Sequence, residues 1–202
     1  MKKMLLLAIA AMALSFRAGV PDPLTEKERA RLIQELQDTR TFFEQSVKGL
    51  SSEQLNFKAA PEKWSILQCM EHIAVSESGI SGFIRQTLTS PADTSKKAEV
   101  KMTDDQVLTL TPDRSKKFNA PEFLQPTGKF ATGDAANEAF QKARGENIQF
   151  IQSTQDDLRG HFIPHPAMGM LDTYQWFLLM AAHSRRHTLQ IEEVKAAAGY
   201  PK

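Results

Sequence analysis

Three histidines carry the chemistry this sequence offers: His72, and His183 with His187 four residues further on. The pair lies in Met180-Ala-Ala-His-Ser-Arg-Arg-His-Thr-Leu-Gln-Ile191, a segment otherwise patterned as the inward face of a long helix. Residues four apart on a helix stand one above the other, so both imidazoles can grip one divalent ion while a third ligand comes from elsewhere. Two or three neutral imidazoles that leave positions open for water or substrate are the usual form of a catalytic transition-metal site. The competing reading is a pair of ordinary core histidines. Two stacked, unpartnered imidazoles in an apolar interior would each cost about 1–3 kcal/mol of desolvation, which a shared ion removes. His72 is the third candidate, at the edge of the apolar stripe of a different segment.

Neighbouring residues could support or surround such a site. Gln68 lies one turn before His72 and Gln190 three residues after His187, and either could orient an imidazole. A surface or packing role suits both equally well. Arg186, at the edge of the ligand face, could meet an anionic substrate, whereas Arg185 points outward. Glu71 turns away from His72 on the helical wheel and reads as a solvated charge. His161 and His165 share a ligand-like spacing, but Pro164 and Pro166 exclude a helix there, so both are expected to have loop roles. Cys69, on an apolar face, reads as a small core residue. The sequence has no Gly-x-Ser-x-Gly elbow, Gly-rich phosphate loop or His-Glu-x-x-His motif, which leaves metal chemistry as its one advertised option.

Four long helical stretches must position these residues. The first starts after Pro23, where Thr25 and Glu28 form a capping-box pattern, and runs to about Leu50, with Ser51-Ser52 as a break and Asn56 to Pro61 as a loop. The second is capped by Ser65 and Gln68, with Trp64 stapling back onto its first turn, and carries Ile66, Cys69, Met70, Ile73, Ile80, Phe83 and Ile84 inward. From Ser90 to about Ala131 prolines punctuate a polar stretch in which only Thr103 to Leu110 reads as a short helix; a connection this long tends to be functional or mobile and could be a lid. The third helix runs from Thr132 or Gly133 to about Leu158, and Gly160 to Gly169 reads as a compact loop. Asp172 and Gln175 cap the fourth, which ends near Gly199-Tyr-Pro201. No period-two strand signal survives. The fold class is therefore all-α, an up-down four-helix bundle with a long loop between the second and third helices.

The whole chain sets the remaining bounds. Its 202 residues suit one domain, and 25 Lys and Arg against 24 Asp and Glu, without a basic aromatic run, give no support to nucleic-acid binding. A single cysteine excludes an internal disulfide framework. Lys2 and Lys3 precede an apolar run from Met4 to Phe16, the layout of a secretory signal, although Phe16 and Arg17 make a poor cleavage site. Residues 1–22 are thus expected to be a signal peptide and linker before a domain spanning 23–202, with export the result and a retained N-terminal anchor the alternative. The apolar run falls short of the ~20 residues of a membrane span, so no stable span is expected once the signal is removed.

Asn56-x4-Pro61-x2-Lys63-Trp64-Ser65-Ile66, leading to Glu71-His72-Ile73, and Trp176 followed by His183-Ser-Arg-Arg-His187-x2-Gln190-Ile191 resemble the DinB/YfiT-like superfamily. The resemblance implies a four-helix bundle with a long crossover and a three-histidine metal site, onto which His72, His183 and His187 map one by one. It further implies a metal-dependent thiol transferase or a related enzyme, with a low-molecular-weight thiol among the small-molecule substrates, and often a homodimer. Export sits poorly with a cytosolic thiol and makes hydrolysis, with metal-activated water, more competitive. The expectation is a zinc or nickel enzyme of the transferase or hydrolase class; the alternative is a non-catalytic binding or stress-associated module in which metal only holds the bundle together.

Overall fold

The computed structural model describes residues 23–117 and 119–202. The expected signal peptide falls on residues 1–22, outside them. Among the described residues there are six α-helices: α1 (Glu26–Val47), α2 (Ser52–Asn56), α3 (Ile66–Leu88), α4 (Asp104–Leu110), α5 (Gly133–Ser153) and α6 (Thr173–Lys195). Each begins on a Ser, Thr or Asp whose side chain accepts from the backbone N–H three residues on: Thr25, Ser51, Ser65, Thr103, Thr132 and Asp172. Helix starts are therefore written locally, by side chains that satisfy the orphan N–H groups. No described helix is long and apolar enough to cross a membrane.

The long helices α1, α3, α5 and α6 form the four-helix bundle, in which α1 and α3 each pack on both α5 and α6. Side-chain pairs give the directions. Phe43 meets Phe140, and Arg29 reaches the carbonyls of Ile151 and Thr154, so α1 and α5 are antiparallel. Tyr174 donates to Glu28 O and Lys195 to Ser46 O, so α1 and α6 are parallel. Glu77 meets Arg144, and Arg85 lies over Phe150, so α3 and α5 are parallel too. A parallel neighbour forces the chain back along the full helix, ~34 Å for 23 residues. The long connection between α3 and α5 is that return path, and it makes the order of the four long helices up-down-down-up where a simple up-down bundle would alternate.

A buried ion pair fixes the register of all four helices. Arg144 on α5 donates to both carboxylate oxygens of Glu77 on α3 (2.7 and 2.8 Å), to Leu36 O and Thr39 Oγ1 on α1, and to Ser184 Oγ on α6 (each 2.7 Å). Asn147 Nδ2 adds a bond to Glu77 Oε1 at 3.0 Å. All five N–H donors of the guanidinium are thereby used.

Several local expectations need correction. Residues Phe162–His165 (β1) and Gly169–Asp172 (β2) form an antiparallel hairpin rather than a loop. Four-residue strands are too short to display an alternating pattern. Ser51 does not merely end α1; it caps the short α2. The third long helix stops at Ser153 instead of about Leu158, where Thr154 Oγ1 pairs with Asp156 and Arg29 takes up the terminal carbonyls.

Candidate metal centre

Two antiparallel helices bring the three histidines together. His72 projects from α3, and His183 and His187 from successive turns of α6. Their rings lie 4.3–4.9 Å apart between centroids. One potential ligand atom from each falls within 4.8 Å of the others, a cluster that could hold a metal ion. His72 Nε2 and His183 Nε2 are 3.1 Å apart. Two nitrogens bound tetrahedrally to one zinc at ordinary bond lengths would stand ~3.3 Å apart, so the spacing fits a shared ion.

Hydrogen bonds decide which nitrogen each ring offers. His72 Nδ1 donates to the Leu124 carbonyl at 2.7 Å. A carbonyl only accepts, so the proton of the neutral ring sits on Nδ1 and Nε2 presents a lone pair. His187 Nδ1 likewise donates to Gln190 Oε1 at 2.9 Å. Burial lowers the pKa of all three rings: His72 below its ordinary value, His183 well below it with help from its two neighbours, and His187 to about 3. At neutral pH all three are uncharged, which is the protonation state that ligation needs. Trp64 closes one side, its ring 4.9 Å from His72 and 5.9 Å from His187; it covers the site instead of only stapling the start of α3.

The crossover between α3 and α5 is tied down over this centre. Glu71, expected in solvent, is 2% exposed, and its carboxylate accepts from the backbone N–H groups of Thr127, Gly128 and Lys129 at 2.7, 3.1 and 3.1 Å. The positive φ of Gly128 (+81°) lets the chain curl around it. Adjacent side chains thus do paired work: Glu71 holds the loop, and His72 uses that loop's Leu124 carbonyl. Arg186, expected to reach an anionic substrate, donates instead to the carbonyls of Thr111 (3.2 Å), Asp113 and Lys116 (2.6 Å). Arg114 of the crossover pairs with Glu193 at 2.9 and 2.7 Å and also reaches Gln190 Oε1 at 3.4 Å.

The other candidates separate cleanly. Gln190 does orient an imidazole, whereas Gln68 Oε1 accepts from Ser65 N in the cap of α3. Cys69 is buried in the core, which pushes its thiol pKa up to about 12. His161 bridges the carbonyls of Asp157 and Ser90, and His165 sits in the hairpin against Trp176, so neither joins the cluster. Sequence reasoning missed Arg114 and the Glu77–Arg144 pair. The signal for Arg144 was present: a charged residue one turn after Phe140 on the inward stripe of α5.

A parallel α3–α5 pair joined by a long return path, with three imidazoles gathered between α3 and α6, defines a class. The family model of the DinB superfamily matches residues 35–191, and the chain belongs to that superfamily. It is similar to YuaE of Bacillus subtilis (strain 168), a protein described as uncharacterized, with 28% identity over 149 residues that make up 74% of this chain and 88% of YuaE. Its fold is also similar to that of YfiT from Bacillus subtilis, described as a probable metal-dependent hydrolase with an unusual four-helix bundle topology. That match has a TM-score of 0.58 and 16% identity, over 91% of this chain and 94% of YfiT.

Proposed function

We propose that this chain is an exported metal-dependent hydrolase of small molecules, with one zinc or nickel ion held by His72, His183 and His187. The observation that carries this reading is the arrangement of lone pairs. Two of the three rings have Nδ1 committed to an acceptor, which leaves Nε2 of each for a ligand, and His183 completes the cluster. A bound divalent ion would supply Lewis acidity, polarising a carbonyl and lowering the pKa of a water. The chain's own groups do the rest. The Leu124 carbonyl and Gln190 hold two rings in their working tautomer, and Trp64 covers one side of the cluster. The description of YfiT as a probable hydrolase supports the reaction class, and the basic-then-apolar opening of the chain supports export.

Elemental analysis of protein made without a histidine tag tests the reading directly. About one zinc or nickel per chain is expected, and His183→Ala should lose both the metal and the hydrolysis of ester and amide substrates. Stoichiometric metal retained in that variant would sink the site. Turnover that appears only with an added low-molecular-weight thiol would reassign the reaction to group transfer.

A further inference from the structure

The stripe of α3 that carries His72 continues through Ser76 and Gly79 to Phe83. Offsets of four, seven and eleven residues keep these positions on one narrow face. The stripe starts buried at His72 and Ser76 and emerges at Gly79 and Phe83, the last 50% exposed. On antiparallel α6 the facing stripe runs from His183 back to Trp176, seven residues or ~10.5 Å along the axis. The two stripes meet again where Phe83 stands edge-on to Trp176, with centroids 6.4 Å apart.

Between those meeting points the α3 side carries small residues. Ser76 is 1% exposed, and its Oγ has no hydrogen-bond partner among the described residues. A buried hydroxyl in that state calls for something to join it. Gly79 leaves open the space a side chain would fill; a Cβ there would meet only Leu124 Cδ2, at 3.9 Å, so the crossover walls this stretch on one side. Phe123, beside Leu124, is 79% exposed.

His165 stands at the far end, its ring 5.4 Å from that of Trp176. Its Nδ1 accepts from the backbone N–H groups of Ala167 and Met168, each at 3.2 Å. Those donors place the proton of the neutral ring on Nε2, for which no partner occurs among the described residues. Burial lowers the pKa of His165, which keeps the ring neutral at neutral pH, and its charge if protonated would be felt at His183.

We propose that this strip is the specificity end of the substrate cleft: the exposed Phe83, backed by the edge of the largely buried Trp176, takes a planar aryl group, and His165 Nε2–H donates to an acceptor oxygen on it. The inference rests on the hydrolase reading and names its substrate class, a neutral, elongated aryl ester or amide. The reacting bond lies at the histidines and the aryl end on the shelf.

The zinc-loaded full chain is titrated with 2-naphthamide, with binding read from tryptophan emission and zinc content measured in parallel. Phe83→Ala, at an exposed position, should weaken binding about 5-fold. His165→Phe, which keeps the stacked ring and removes the donor, should weaken it by a similar factor, about 5-fold. Zinc content should not change in either variant. Binding unaltered in both overturns the proposal. A wild-type chain that takes up no zinc, yet binds 2-naphthamide more tightly than both variants, would sink the hydrolase reading while upholding the shelf.

Discussion

Two buried polar clusters lie side by side in the bundle, one around Arg144 at the meeting of all four long helices and one around the three histidines between α3 and α6. They touch through sequence neighbours, because Ser184, which accepts from Arg144, follows His183. Every donor of the Arg144 guanidinium has an acceptor, and both Glu77 oxygens are bonded. At the histidines, the outer nitrogens of His72 and His187 are satisfied, but His72 Nε2 turns its lone pair toward His183 Nε2. The first cluster is complete with the chain's own atoms, and such a pair holds a fold in register. In the second the inward nitrogens face one another, with one ligand atom from each ring within 4.8 Å of the others, a set that could hold a metal ion. Buried polarity therefore locks the helices together in one place, and in the other it gathers three neutral imidazoles on which the proposed chemistry would rest.

Arg144→Met gives the largest effect that follows from this contrast. It leaves Glu77 as an unpaired buried carboxylate and removes the acceptors' donor on α1 and α6, so about 3–5 kcal/mol of stability should be lost. Urea unfolding of the metal-free protein measures it, and a loss under about 1 kcal/mol would show that the pair is not what holds the four helices in register.

Acid distinguishes the clusters next. In the metal-free protein the folded pKa values of the three histidines lie below the unfolded value near 6.5. Above that pH the rings are neutral in both states and add no slope. As pH falls through it, the unfolded chain takes up protons that the buried rings refuse, so stability drops. Each ring that stays neutral contributes about 1.4 kcal/mol per pH unit. For His187 the decline should persist to about pH 3, where the folded ring itself protonates. Replacing His183 by Leu should remove one ring's share of the slope; an unchanged slope between pH 6.5 and 4 would contradict the burial of that imidazole.

What the sequence shows of all this depends on distance along the chain. The caps at Thr25, Ser65 and Asp172 are legible because the hydrogen-bonding partner is three residues away. The pairing of His183 with His187 is legible for the same reason, and His72 joins them through the family resemblance. Glu71 misleads because a helical wheel gives an angle and says nothing of what covers that angle. Here the covering group is a loop 56 to 58 residues away. Arg186 misleads in the same way, since its acceptors belong to the crossover, 70 to 75 residues distant. The hairpin escapes notice because two short strands leave no period to detect.

The smallest effects probe how far the outer half of the histidine cluster extends. Gln190 holds the Nδ1 proton of His187, and Arg114 touches the same Gln190 oxygen from the crossover. Removing a direct orienting partner typically costs 10- to 100-fold in metal affinity, so Gln190→Leu should weaken zinc binding by about 10-fold. Arg114 acts one bond further out, through a long 3.4 Å contact, and its main partner is Glu193. Arg114→Met should therefore weaken zinc by only about 2- to 3-fold in the wild type. In a Gln190→Leu background the same change should have no effect on zinc, because the oxygen it reaches is gone. Competition with a chromophoric chelator resolves both steps. Equal and additive losses from the two substitutions would place Arg114 outside this chain of contacts and confine the ordered shell to Gln190.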